Sequence, residues 1–235
     1  MPEFRKLAEK IPFKPDQVGT CARESAAQDL EKSSILSLIR CYQLIRNTIL
    51  SNRLTLAEII FICIIASTLG IAWWAYSLIY DILSPILKPF GLSGLLEGFW
   101  HMGGIFFAYI IRKPGSAVLG ETIAATVEGL ISQWGFSAVV SGLCQGLPVE
   151  LLFLASRYKV WNKLNCALAG ILSACGGYIV TYYWYGYASL GLKYNLINLG
   201  CTIISGAILG GLLSRYLANQ LATTGVLNQY KISHE

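Results

Sequence analysis

Two carboxylates, Glu121 and Glu128, stand seven residues apart in Ile111–Glu128 (IRKPGSAVLGETIAATVE), a stretch uncharged between Lys113 and Glu121. On a helix, seven residues make about two turns, so both acids share one face, about 10 Å apart along the axis. An acid inside a bilayer costs roughly 2.5–3.5 kcal/mol and turns toward a cavity or a partner. A third acid, Glu150, follows Gln145 in another apolar run, and no Lys or Arg stands near the middle of a predicted span to neutralise the three. Three chemistries fit acids so placed: protonated carboxyls bonded to Ser, Gln or backbone, an inorganic cation, or an organic cation. Trp100, Trp134, Tyr182, Tyr183 and Trp184 fall on the same predicted side as Glu128. Aromatic faces beside a carboxylate suit an organic cation or a heteroaromatic ring, whereas an inorganic ion prefers more oxygens. His101, Gln145 and Asn198 add polar groups to this set. The plainer roles are an aromatic belt at the interface, interhelical bonding by Gln145, and bracing of helices by Glu121 and Glu150.

Other chemistries find no support. The seven cysteines include no C-x-x-C pair, and His101 and His234 are the only histidines, so a zinc cluster lacks ligands and no metal or cofactor is expected. There is no phosphate-binding G-x-x-x-x-G-K-[ST] loop, nucleophile elbow or H-E-x-x-H pair, which argues against catalysis. The net charge of +5 follows membrane topology and points to no nucleic-acid partner.

The elements that must hold these residues are read from the charges. The chain is 54% hydrophobic and 13% charged, with mean hydropathy +0.54, against about 25% charged in ordinary soluble domains. Charge-poor windows imply an all-α integral membrane protein with six transmembrane helices, at about 56–80, 94–111, 114–132, 136–156, 164–185 and 195–217. Pro114 suits the first position of the third. Residues 1–32 read as a mobile cytoplasmic tail, 33–53 as an amphipathic interfacial helix, 54–218 as the membrane domain and 219–235 as a cytoplasmic C-terminal tail. Alternate sides of this topology carry 16 and 2 Lys and Arg residues, which predicts both termini in the cytoplasm of a plasma (inner) membrane protein. Ala66-x-x-x-Gly70, Gly170-x-x-x-Ala174 and Gly206-x-x-x-Gly210 mark seams of close helix approach, within the chain or against a partner.

Four ordered motifs, Ile111-Arg-Lys-Pro-Gly115, Glu121-x-x-Ala-Ala-x-x-Glu128, Gln145-Gly146 with Glu150, and Thr224-Gly-Val-Leu-Asn228, resemble the YkoE family. Its members are substrate-binding S components of energy-coupling-factor (ECF) vitamin importers, and the resemblance covers about 54–230. It implies an S-component-like bundle that captures thiamin or its hydroxymethylpyrimidine precursor. A transmembrane coupling (T) subunit and two ATPase subunits would be its partners, with ATP used only by them. It also implies that Ala66 and Gly70 dock the coupling subunit. Glu128, Trp100, His101, Gln145, Glu121, Glu150, Trp134, Tyr182 and Asn198 are the expected substrate contacts. Glu97, ahead of Trp100, departs from the family pattern. A proton- or cation-coupled carrier using Glu121, Glu128 and Glu150, and a non-transporting membrane scaffold, are the competing readings.

Overall fold

A computed structural model describes residues 53–230 and 232; the expected tail and interfacial helix over 1–52 lie outside the described residues. The described part is all-helical, with no strand. Helix α1, Leu56–Leu87, opens on a capping box: Thr55 Oγ1 accepts from Glu58 N at 3.3 Å, and Glu58 Oε2 from Thr55 N at 2.7 Å. The buried positions Ile62, Ala66, Gly70, Trp73, Ser77, Tyr80 and Ser84 recur every three or four residues, while Ile64, Ile71 and Ile82 lie exposed. Such a helix packs through one stripe, small residues alternating with Trp73 and Tyr80, and offers its isoleucines to lipid.

A 3₁₀ turn, Lys88–Phe90, leads to a longer 3₁₀ segment, Ser93–His101, which passes into α2, Met102–Ile111. Every residue of α2 is buried, placing it at the centre of the bundle. Helix α3 spans Ser116–Ile131, α4 Phe136–Ala155 and α5 Lys163–Tyr183. The 3₁₀ turn Tyr187–Leu190 then leads to α6, Leu192–Ser205, which continues through a π segment, Gly206–Leu212, into α7, Leu213–Thr223. Among the described residues five helical stretches are long and apolar enough to cross a membrane. With 16 residues, α3 is only about 24 Å long, short of the roughly 30 Å hydrocarbon thickness, and it lies among the longer helices.

The structure revises several sequence expectations. α1 runs past Tyr80 because Pro85 lies near its end, where a lost backbone bond interrupts little. Pro114 precedes α3 in a turn, since Gly115, at φ 89°, forms the left-handed entrance to Ser116. The expected second α-helix is 3₁₀ over its first half. There Gly98 lies against α6, where a Cβ would sit 2.3 Å from Ser205 O, and Ser205 Oγ accepts from Gly98 N at 2.9 Å while donating to Leu95 O at 2.6 Å. The C-terminal tail is in part core: α7 reaches Thr223, Leu227 is fully buried, and the Tyr230 ring lies 4.5 Å from Phe61.

The seams of small residues close within the chain. A Cβ on Gly170 would lie 2.1 Å from Gly206 O, and one on Gly206 would lie 2.8 Å from Ala174 Cβ. The assignment of Ala66 and Gly70 to partner docking is corrected by the same geometry. Ala66 is fully buried, and a Cβ on Gly70 would meet Ala124 O at 2.4 Å, so this seam seats α3 against α1 and is covered.

Candidate functional site

About one and a half turns from the start of α3, Glu121 is enclosed; two turns further, Glu128 faces a cavity of about 310 Å³. That volume is at the lower end of ligand pockets and suits a small ring-bearing molecule. Glu128 Oε1 accepts from the indole Nε1 of Trp100 at 2.7 Å. Around that bond the rings meet edge to face: Trp100 lies 5.2 Å from Tyr80 and 6.5 Å from Trp134, and Trp134 lies 5.7 Å from Tyr185. These four rings line the cavity with the carboxylate, as a desolvated cation or an electron-poor heterocycle requires.

The 3₁₀ segment explains how Trp100 and its neighbours are aimed. With three residues per turn, side chains at i and i+3 eclipse, so Glu97 and Trp100 share a face and both line the cavity. His101, one residue on, also reaches it while buried to 2% exposure. Its Nδ1 pairs with Ser173 Oγ at 3.2 Å, and its Nε2 has no hydrogen-bond partner among the described residues. Trp134 Nε1 is likewise unpartnered. Buried polar atoms are normally bonded, so two orphans beside one cavity mark positions where a ligand could bond.

Behind the wall lies a polar support. Glu121 accepts from Gly104 N through Oε2. Gln145, which lines the cavity, donates to Glu121 Oε1 at 2.8 Å and to Trp100 O at 3.0 Å when its amide nitrogen is turned to face both acceptors. The chain of bonds thus runs from Glu121 through Gln145 to the backbone of the residue that holds Glu128. Glu121 is 1% exposed and does not itself line the cavity.

The remaining expected site residues lie elsewhere. Glu150, on α4, reaches the start of α3, where its oxygens accept from Gly115 N at 2.7 Å and Ala117 N at 3.1 Å, and also from the Tyr158 hydroxyl at 2.5 Å. Asn198, fully buried on α6, donates to Gly91 O at 3.1 Å and Ser93 Oγ at 3.0 Å, tying down the connection ahead of the 3₁₀ segment. Tyr182 packs its ring on Tyr183 at 4.9 Å. None of the three lines the cavity.

The expected contacts omitted Tyr80, Lys88, Glu97 and Tyr185, all of which line the cavity. Tyr80 carried a signal, as the next-to-last member of the buried stripe on α1. Outside the spans, burial pushes the phenols of Tyr185 and Tyr187 up, Tyr187 to about 12, so both remain neutral donors at the cavity. Burial and the Glu150 contact raise the Tyr158 phenol as well. Among the described residues no group of three His, Cys, Asp or Glu side chains could hold a metal ion.

Comparisons with known proteins agree with this geometry. Residues 57–176 match the family described as "ABC-type cobalt transport system, permease component". The HMP/thiamine permease protein YkoE of Bacillus subtilis (strain 168) is 35% identical over 179 residues, covering 76% of this chain and 89% of that protein. A crystal structure of an S-component of an ECF transporter superposes with a TM-score of 0.74 at 33% identity, covering 77% of this chain and 92% of that one.

Proposed function

Since this chain belongs to the YkoE family of ECF-transporter S components, we propose that it captures thiamin or its hydroxymethylpyrimidine precursor for import. It is a multi-pass membrane protein whose cavity, in this reading, opens to the outside of the plasma membrane, with both termini in the cytoplasm. A coupling subunit and two ATPase subunits energise it, and ATP is hydrolysed only on them. The observation that carries the reading is the Trp100–Glu128 bond inside an aromatic wall. A thiazolium joined to an aminopyrimidine offers a cationic ring for the aromatic faces and the carboxylate, together with a flat ring bearing donors and acceptors for His101, Gln145 and Trp134.

The relay of a proton-coupled carrier would draw on Glu150, whose three donors at the start of α3 are those of a structural brace. Direct binding to the detergent-purified full chain tests the proposal. Titration with thiamin and with hydroxymethylpyrimidine should show micromolar or tighter binding of at least one. Binding of neither would remove the vitamin assignment, and proton-driven uptake by the chain alone in vesicles would favour the carrier.

A further inference from the structure

The cavity holds a second carboxylate whose own bonding is incomplete. Glu97 lies one 3₁₀ turn from Trp100 on the same face, about 6 Å along the segment axis. Its one hydrogen bond among the described residues is from Thr202 Oγ1 at 3.2 Å, and that hydroxyl also lies 3.0 Å from Asn198 O. One hydroxyl proton serves two acceptors, so Glu97 receives at most a shared bond. The other charged groups lining the cavity are Glu128, bonded by Trp100, and Lys88, whose Nζ stands 5.7 Å from the centre of the Tyr80 ring. With both acids ionised, two acids against one base give the lining one excess negative charge, in a space walled by aromatic rings. The buried Nε2 of His101 on the same 3₁₀ segment, without a hydrogen-bond partner among the described residues, offers a bound molecule a further polar contact in the same lining.

We propose that Glu97 is a specificity-determining residue, which makes the cavity select a ring-bearing organic monocation over a neutral pyrimidine of the same ring chemistry. The inference rests on the vitamin-capture reading and narrows it: thiamin, with its permanent thiazolium charge, is the preferred ligand, and hydroxymethylpyrimidine, uncharged at neutral pH, the poorer one. A neutral ring can stack on Trp100 without Glu97. A cation gains from both carboxylates and is opposed by Lys88.

The test is calorimetric titration of both compounds into the detergent-purified full chain, as wild type, Glu97→Gln and Lys88→Met. Wild type should bind thiamin more tightly. Glu97→Gln should weaken thiamin about tenfold while moving hydroxymethylpyrimidine less than about twofold, and Lys88→Met should strengthen thiamin about threefold. Equal weakening of both compounds by Glu97→Gln would make the residue a support for the 3₁₀ segment and overturn the proposal, as would no change in either. If Glu97→Gln cannot be purified folded, Lys88→Met decides: unchanged preference between the two compounds overturns it. Wild type that binds neither compound refutes the vitamin reading itself, an outcome distinct from wild type that binds without regard to charge.

Discussion

The two ends of α3 carry the same kinds of residue and put them to opposite use. At its start, Glu150 is ringed by two backbone N–H groups and a phenol, Lys113 Nζ pairs with Glu58 at 2.8 Å, and the Arg112 guanidinium lies over Trp161 at 5.0 Å. At its other end, among the described residues, Glu128 has a single indole donor, Glu97 a shared one, and His101 and Trp134 keep unpartnered nitrogens beside the cavity. Acids and aromatic rings alone therefore do not mark a site in a membrane protein. The completeness of their bonding does: a satisfied carboxylate is a rivet, and an unsatisfied one waits for a ligand.

The contrast can be broken by exchanging the consequences of mutation at the two ends. Glu150→Ala should have the largest effect, leaving Gly115 N–H, Ala117 N–H and the Tyr158 hydroxyl without their acceptor. About 3 kcal/mol of stability should be lost, seen as a fall of roughly 6–12 °C in the unfolding midpoint in detergent. The folded fraction should bind ligand as wild type does, and weakened binding at unchanged midpoint would erase the distinction. Glu128→Gln should do the reverse, with thiamin affinity reduced about a hundredfold and a midpoint within roughly 2 °C of wild type. Trp100→Phe keeps a ring and removes the 2.7 Å bond to Glu128, so affinity should fall about tenfold in the same titration. Lys113→Met should have the smallest effect, about 1 kcal/mol of stability with affinity untouched, because it breaks one partly buried ion pair at the riveted end. A change in affinity larger than twofold there would show that the ends communicate.

Much of this contrast was legible in the amino-acid order. Gaps between charges give the helices, since a bilayer demands an unbroken apolar length, although α1 runs seven residues past its expected end at Tyr80. Glu128 with Trp100 and Trp134 emerges from topology, because alternate helices run in opposite directions and place those residues at a common depth. Glu150 could not be separated from Glu128 in this way. Two of its three donors are backbone groups at Gly115 and Ala117, about 35 residues away in sequence, which no side-chain pattern announces. The 3₁₀ course of Ser93–His101 was hidden for a related reason: it depends on Gly98 pressing on Ser205, far along the chain. The inward turn of Ala66 and Gly70 was equally hidden, because a small-residue seam has the same spelling whether it meets its own chain or another.

Three of the chain's six tryptophans, Trp73, Trp100 and Trp134, border the cavity. Trp100 also stands 5.0 Å from Tyr76 and 5.2 Å from Tyr80, close enough for excited phenols to pass their energy to it. Light absorbed around this end of the bundle therefore drains toward the indole that holds Glu128. An electron-poor heterocycle bound beside that indole should quench its emission, so occupancy of the cavity should be readable from the protein's own fluorescence, with no label attached.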